Sequence, residues 1–148
     1  MSWLPRKLVV VPVDFSENSL GALETAIELA NTPDTIFAVH IVPHVAAISP
    51  GMIWDTVNDA TRVNSTKKYF RDFLVDRGLD KINLEVRVGD PGLQITDFSR
   101  EIGADLIVIS SHGYHGMKRL LMGSVAERVL RHADCPVLVL RRNDPAAV

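Results

Sequence analysis

The chain carries a single cysteine, Cys135, among 148 residues. One thiol cannot close an intramolecular disulfide, and such sparing use suits a reducing compartment. No apolar run approaches the length of a membrane span. The first residues, Met1 to Lys7, lead into a short apolar stretch ending at Pro12-Val13-Asp14. That stretch lacks a signal peptide's long apolar region and small-residue cleavage site. Excess positive charge is missing too. A net charge of −2 gives no polyanion-coating surface and argues against nucleic acid as a partner. Repeats, low-complexity tracts and linker-like segments are also lacking. The expectation is one cytoplasmic domain spanning 1–148, with no membrane association.

What is present is an ordinary globular balance, 47% hydrophobic and 23% charged residues. A domain this long buries roughly 70% of its unfolded surface and needs neither disulfides nor metal to fold. Five short apolar runs alternate with helix-like segments. Leu8–Val13 is β-branched and nearly continuous, the pattern of a strand buried on both faces. Ser16 offers an N-cap for a helix that carries Leu20, Leu23, Ile27 and Ala30 at helical spacing, and Asn31-Thr32-Pro33 ends it. Ile36–Val42 reads as the second strand. A long helix over Trp54–Arg77 would face inward through Val57, Ala60, Phe70, Phe73 and Leu74 and stop at Gly78.

Leu84, Val86 and Val88 alternate as a third strand. Asp90-Pro91 is a capping carboxylate followed by proline at the first helical position, and Gly103 stops that helix. Leu106–Ile109 is the fourth strand. Ser124-x-x-Glu127 has capping-box form and starts a helix to about His132. Val137–Leu140 is the fifth strand. Strand–helix alternation with buried-type strands predicts an α/β fold: an open five-stranded parallel sheet with helices on both faces. The strand order is not readable from this pattern.

In such a sheet, ligands bind outside the carboxyl ends of the strands, where the order reverses. The residues to examine are therefore Asp14, Val42-Pro43, Gly89, and Ser110 onward. The last stretch carries Gly113, Gly116 and Gly123 between a strand end and a helix start. Glycine lets a backbone N–H approach an anion, and a helix N-terminus adds unsatisfied N–H groups. The segment reads equally as a phosphate cradle or as a surface loop closed by a capping box. Neither G-x-x-x-x-G-K-[ST] nor G-x-G-x-x-G after the first strand is present, which disfavours Walker-type NTPase chemistry and a dinucleotide fold.

The phrases Asp14-Phe15-Ser16, Ser111-His112-Gly113, Leu120–Val129 and Cys135–Leu140 together resemble the universal stress protein (UspA-like) family from end to end. The resemblance implies a Rossmann-like fold of the adenine nucleotide alpha hydrolase type. It also implies a stress-response sensor or adaptor that binds ATP or a related adenine nucleotide. By that resemblance Asp14 and the backbone near Pro12, Val13 and Ile41 hold the adenosine portion. Gly113, Gly123, Ser124 and Val125 surround the phosphates, and Mg2+ bridging those phosphates would rely on phosphate oxygens and water. Ser110, His112, His115 and Gly116, in the same segment, are further candidates for contact with the nucleotide. The nucleotide-binding branch resembles a pattern of glycine, two residues, glycine, nine residues, then glycine with serine or threonine. Gly113 and Gly123-Ser124 match it, and Ser110 stands in place of the first glycine. If that position needs positive φ, its β-carbon costs about 1 kcal/mol, roughly fivefold in affinity. The competing reading is a nucleotide-free interaction protein on the same scaffold.

The other polar residues fit neither metal nor covalent chemistry. His112 and His115 have H-x-x-H spacing without a third ligand. Lys118 and Arg119 belong to a solvated loop face or reach phosphate. His40 alternates with apolar neighbours as a structural histidine, and Cys135 reads as a small core residue. Ile109–Gly113 falls short of G-x-S-x-G by its first glycine. No residue reads as a base that activates water, so hydrolysis of ATP is at most slow. Val137–Leu140 is too apolar to lie bare at an edge. Either a second copy pairs with it, as the family resemblance implies for homodimers, or a central position buries it. The protein partner of such an adaptor is not legible. The loop 43–54, with Ile48, Met52, Ile53 and Trp54, reads as a lid, a docking surface or plain packing.

Overall fold

The computed structural model describes residues 2–44, 59–111 and 123–141. Among them five strands form one parallel sheet: β1 (Val9–Pro12), β2 (Ile36–Val42), β3 (Asn83–Val88), β4 (Leu106–Ser110) and β5 (Val137–Leu140). Four α-helices accompany them: α1 (Glu17–Leu29), α2 (Asp59–Asp76), α3 (Pro91–Ile102) and α4 (Ser124–His132). The spatial order is β3-β2-β1-β4-β5. Successive crossovers run one way from β1 to β3 and the other way from β1 to β4 and β5. The order thus reverses between β1 and β4, as in a doubly wound arrangement of Rossmann type with five strands among the described residues.

Alternation along each strand divides the core between the two faces. On one side Val9, Val11, Ala38 and Val108 pack under Ala22, Leu23 and Ala26 of α1 and Phe70, Phe73 and Leu74 of α2. On the other, Val10, Val39, Ile107 and Ile109 meet Ile95 and Phe98 of α3 and Ala126 and Val129 of α4. Both faces of the inner strands are therefore covered, which explains their unbroken apolar runs.

Local chemistry sets the helix ends. Ser16 caps α1 through the Ser19 N–H, and Asp90 caps α3 through the Leu93 N–H with Pro91 at the first helical position. Gly103 ends α3 in the left-handed region at φ 69°, which costs a residue without a β-carbon little. The expected capping box of α4 is not formed. Gly123 is the N-cap and Ser124 the first helical residue, so the cap falls one place earlier than the sequence pattern suggests, while the helix spans Ser124–His132 as expected.

Three further expectations are corrected. Ala60 is exposed, so the inward face of α2 rests on Phe70, Phe73 and Leu74. Ser110 belongs to β4, paired with Leu140, because its strand runs one residue further than its apolar pattern. β5 is an edge strand with every residue half-buried, which removes a central position as the explanation of its apolar sequence. Residues 54–58 of the predicted second helix, and 45–54 of the predicted loop, lie outside the described residues. No helix among the described residues is long and apolar enough to cross a membrane.

Candidate functional site

The carboxyl ends of β1, β2 and β4 and the first turns of α3 and α4 enclose a cavity of about 450 Å³. That volume falls within the roughly 300–1,000 Å³ typical of small-molecule sites. Pro12, Val13 and Asp14 line it from the end of β1, Ile41 from β2, and Ser110 from β4. Gly123, Ser124 and Val125 line it from the start of α4. The structure thus brings these sequence-predicted residues together around one space. His112, Gly113, His115 and Gly116 lie outside the described residues, as do Lys118 and Arg119.

Sequence reasoning missed part of the wall. Pro91 and Ile95 of α3 line the cavity, as do Val39, His40 and Ile109. A signal for Pro91 was present, since it follows the end of β3 where the strand-end rule directs attention. Val39 and Ile41 alternate on the α3/α4 side, so strand period alone gives them one apolar face.

Asp14 is fixed by its neighbours. Its Oδ1 accepts from the Ser16 N–H at 3.0 Å and from the Ser16 hydroxyl, an Asx-type turn. The same Ser16 oxygen accepts the Ser19 N–H at 3.3 Å, so carboxylate and helix cap form one chain of hydrogen bonds. Between them Phe15 sits at φ 67°, a conformation that a bulky residue rarely adopts. Packing holds it there. Its ring meets His40 at 4.6 Å, Tyr69 at 4.9 Å, and Phe70 and Phe73 at 5.3 Å.

His40 is a satisfied histidine, as its sequence context suggests, but it also faces the cavity. Its Nδ1 lies 2.6 Å from the Val13 carbonyl, which only accepts, so Nδ1 carries a proton and donates. Burial holds the imidazole below its usual 6.5, outweighing the Val13 carbonyl and the nearby Asp14 carboxylate, which act oppositely. The unfolded chain therefore binds this proton more readily than the folded one. Stability should be full above the unfolded value and fall as pH drops through it, by at most about 1.4 kcal/mol per pH unit. Urea denaturation between about pH 7.5 and 5.5 should show that slope, and His40→Asn should flatten it. An unchanged slope in the variant would assign the effect to other groups. Asp90 is held below its usual 3.8, first by the Leu93 N–H and then by Arg128, so its contribution is lost only at more acidic pH.

Three helix N-termini approach the cavity, through Ser19, Pro91 and Ser124. Side chains of Ser16 and Asp90 answer the first two. α4 begins at Gly123 without a side-chain cap, and its opening residues line the cavity. Its positive end is the one whose own cap supplies no acceptor to it. Among the described residues Phe15 is the one non-glycine with positive φ, so Ser110 carries no such strain. The penalty that a β-carbon would incur there in a left-handed conformation does not arise. No cluster of three His, Cys, Asp or Glu among the described residues could hold a metal ion. Cys135 is half-buried, and burial pushes its thiol up, away from a nucleophilic thiolate.

A parallel doubly wound sheet with a crevice at its switch point defines the class: a small α/β protein with a cavity above its strand ends. The chain belongs to the universal stress protein family, whose family model matches residues 5–141. It is 34% identical over 142 residues to Universal stress protein MJ0531 of Methanocaldococcus jannaschii, covering 92% of this chain and 82% of the relative. Among solved structures it resembles hypothetical protein MJ0577, with a TM-score of 0.77 and 23% identity over 95% of this chain and 99% of that one. It also resembles the universal stress protein from Archaeoglobus fulgidus in complex with dAMP. There the TM-score is 0.56 and the identity 23%, over 95% of this chain and 100% of that one.

Proposed function

We propose that the cavity binds ATP or a related adenine nucleotide, and that the protein acts as a cytoplasmic stress-response sensor or adaptor rather than an enzyme. The observation that carries this reading is the start of α4 at the cavity wall, where the N-cap is a glycine with no side chain to answer the helix end. Gly123, Ser124 and Val125 supply backbone N–H groups and a positive helix end for phosphate. Across the cavity, Asp14 offers a carboxylate to ribose hydroxyls, and Val39, Ile41, Pro91 and Ile95 offer apolar surface to a base. The Archaeoglobus relative bound to dAMP supports the adenine class. Mg2+ would be held by phosphate oxygens and water.

Denatured, purified protein should release an adenine nucleotide detectable by mass spectrometry. Added ligand at 100-fold over its dissociation constant contributes about 2.7 kcal/mol, a rise in Tm of roughly 5–11 °C. No shift with millimolar ATP, ADP or AMP would sink the reading. Gly123→Val should remove the shift and leave the fold intact, because φ −61° at this N-cap is open to any residue. Retained binding would move the phosphates elsewhere.

The β5 edge favours a second element of this reading, a homodimer paired through Val137–Leu140. Sedimentation equilibrium should return twice the 16.3 kDa chain mass. Val137→Lys, a charge placed on that edge, should shift the population toward the monomer. A monomeric native chain would remove the dimer and leave the nucleotide site untouched.

A further inference from the structure

The turn that carries Asp14 is fastened to different parts of the fold on its two sides. Ahead of it, the Val13 N–H donates to the Val39 carbonyl at 2.8 Å, and the Val13 carbonyl accepts from His40 Nδ1 at 2.6 Å. Both bonds tie that side to β2. Behind it, Ser16 is the cap of α1. Phe15 stands between, at φ 67°, where a β-carbon is crowded by its own backbone. Glycine reaches that conformation at no steric cost, so the turn by itself gives no reason for a phenylalanine. The ring supplies the reason. It stands edge-on to Tyr69 and Phe70, with planes at 88° and 89°, and also meets Phe73 and His40. Tyr69, Phe70 and Phe73 belong to α2, none of whose described residues lines the cavity. Phe15 does not line it either, whereas Asp14 does.

We propose that Phe15 is a positioning residue: its ring, anchored against α2, holds the turn that aims the Asp14 carboxylate, and so sets the preference for a ribose over a sugar without vicinal hydroxyls. This rests on the reading of the cavity as a nucleotide site in which Asp14 meets the ribose. Asp14 Oδ1 is shared between the Ser16 N–H and the Ser16 hydroxyl, so the carboxylate takes its direction from the turn. Hydrogen bonds to a carboxylate are strong only when well aligned. A turn freed from α2 would leave the carboxylate in place by sequence and lost in direction. The strained conformation is thus the consequence of a side chain chosen for its anchor, at a position where backbone ease alone favours glycine.

Phe15→Gly separates the two demands, since it relieves the backbone and removes the anchor. Amide hydrogen exchange on the ligand-free chain is the first measurement. Protection of the Ser16 amide should fall about tenfold relative to that of Val11 in the core of β1, a ratio that loss of global stability does not lower. An unchanged ratio overturns the proposal. If Phe15→Gly does not fold, Tyr69→Ala removes one wall of the anchor from an exposed position and should lower the same ratio; no change there overturns it equally. Calorimetric titration with AMP and 2′,3′-dideoxy-AMP is the second measurement. The native chain should prefer AMP, and Phe15→Gly should reduce that preference about tenfold, with Phe15→Leu, which keeps an apolar anchor, retaining most of it. In an Asp14→Ala background, Phe15→Gly should change the preference no further. A further fall there would mean that Phe15 acts other than through Asp14 and overturns its positioning role. Absence of AMP binding by the native chain overturns the nucleotide reading instead, while the exchange ratio still decides whether the ring holds the turn.

Discussion

Phe70→Ala should lower the unfolding free energy by about 3–5 kcal/mol, a Tm loss of roughly 6–20 °C for a domain of this size. Phe70 is completely buried, among the largest such side chains in the core. It stands edge-on to Phe15, with ring centroids 5.3 Å apart and planes at 89°. Truncation removes both the buried area and the support under a backbone position at φ 67°. The space left behind cannot close cheaply, since it lies inside the cluster that Phe70 forms with Phe73, Leu74, Ile82 and Val86. Tyr69 supplies the control. It also touches Phe15, but is 59% exposed, and Tyr69→Ala should cost under about 1.5 kcal/mol. Equal losses from the two truncations, measured by urea denaturation, would contradict the assignment of this turn's support to the buried ring.

Gly92→Val should destabilise the fold by about 1–3 kcal/mol or more and impair the cavity as well. A β-carbon at Gly92 would lie 2.6–2.7 Å from Cβ, Cγ and Cδ of Arg128. The contact includes the root of the arginine, so rotation of its far end does not relieve it. α3 and α4 must separate at the turns that carry Pro91 and Val125 to the cavity wall. The Arg128–Asp90 pair, 2.7 Å long, spans the same junction but is half-exposed and contributes little by itself. Thermal denaturation of Gly92→Val alone and with Arg128→Ala separates crowding from loss of the pair. The double variant should recover part of the loss, because Cγ and Cδ are removed and Cβ stays. No recovery would point away from Arg128 as the source of the strain.

Much of this architecture was legible in the sequence because its local signals agree. Ser16, Asp90-Pro91 and Gly103 mark helix ends by backbone chemistry confined to a few residues, and the structure places caps at each. The span of α4, Ser124–His132, was read correctly, but its cap was misassigned by one position for a related reason. Ser124 and Glu127 fit the capping pattern, while Gly123, which can occupy the N-cap without a side chain, left no competing signal. Strand order was not legible, since pairing is decided by contacts between distant segments. That order is what places β5 at an edge and β1 at the switch point. In the site, residues immediately after strands were found by rule. His40 was recognised as satisfied and not as part of the wall, because strand alternation says which face a side chain takes and nothing about where its neighbour strand ends. The end of β1 at Pro12-Val13 is what opens that wall.

The two borders of the sheet are unlike. β3 carries Asn83, Glu85 and Arg87, with Arg87 clasped to Glu101 at 2.7 and 2.9 Å, whereas β5 is wholly aliphatic. A charged border discourages strand addition and an aliphatic one invites it. Growth by edge pairing therefore has a single receptive end per molecule. The proposed pairing of two such ends about a two-fold axis would consume both, so it would terminate at two chains rather than propagate as a fibre.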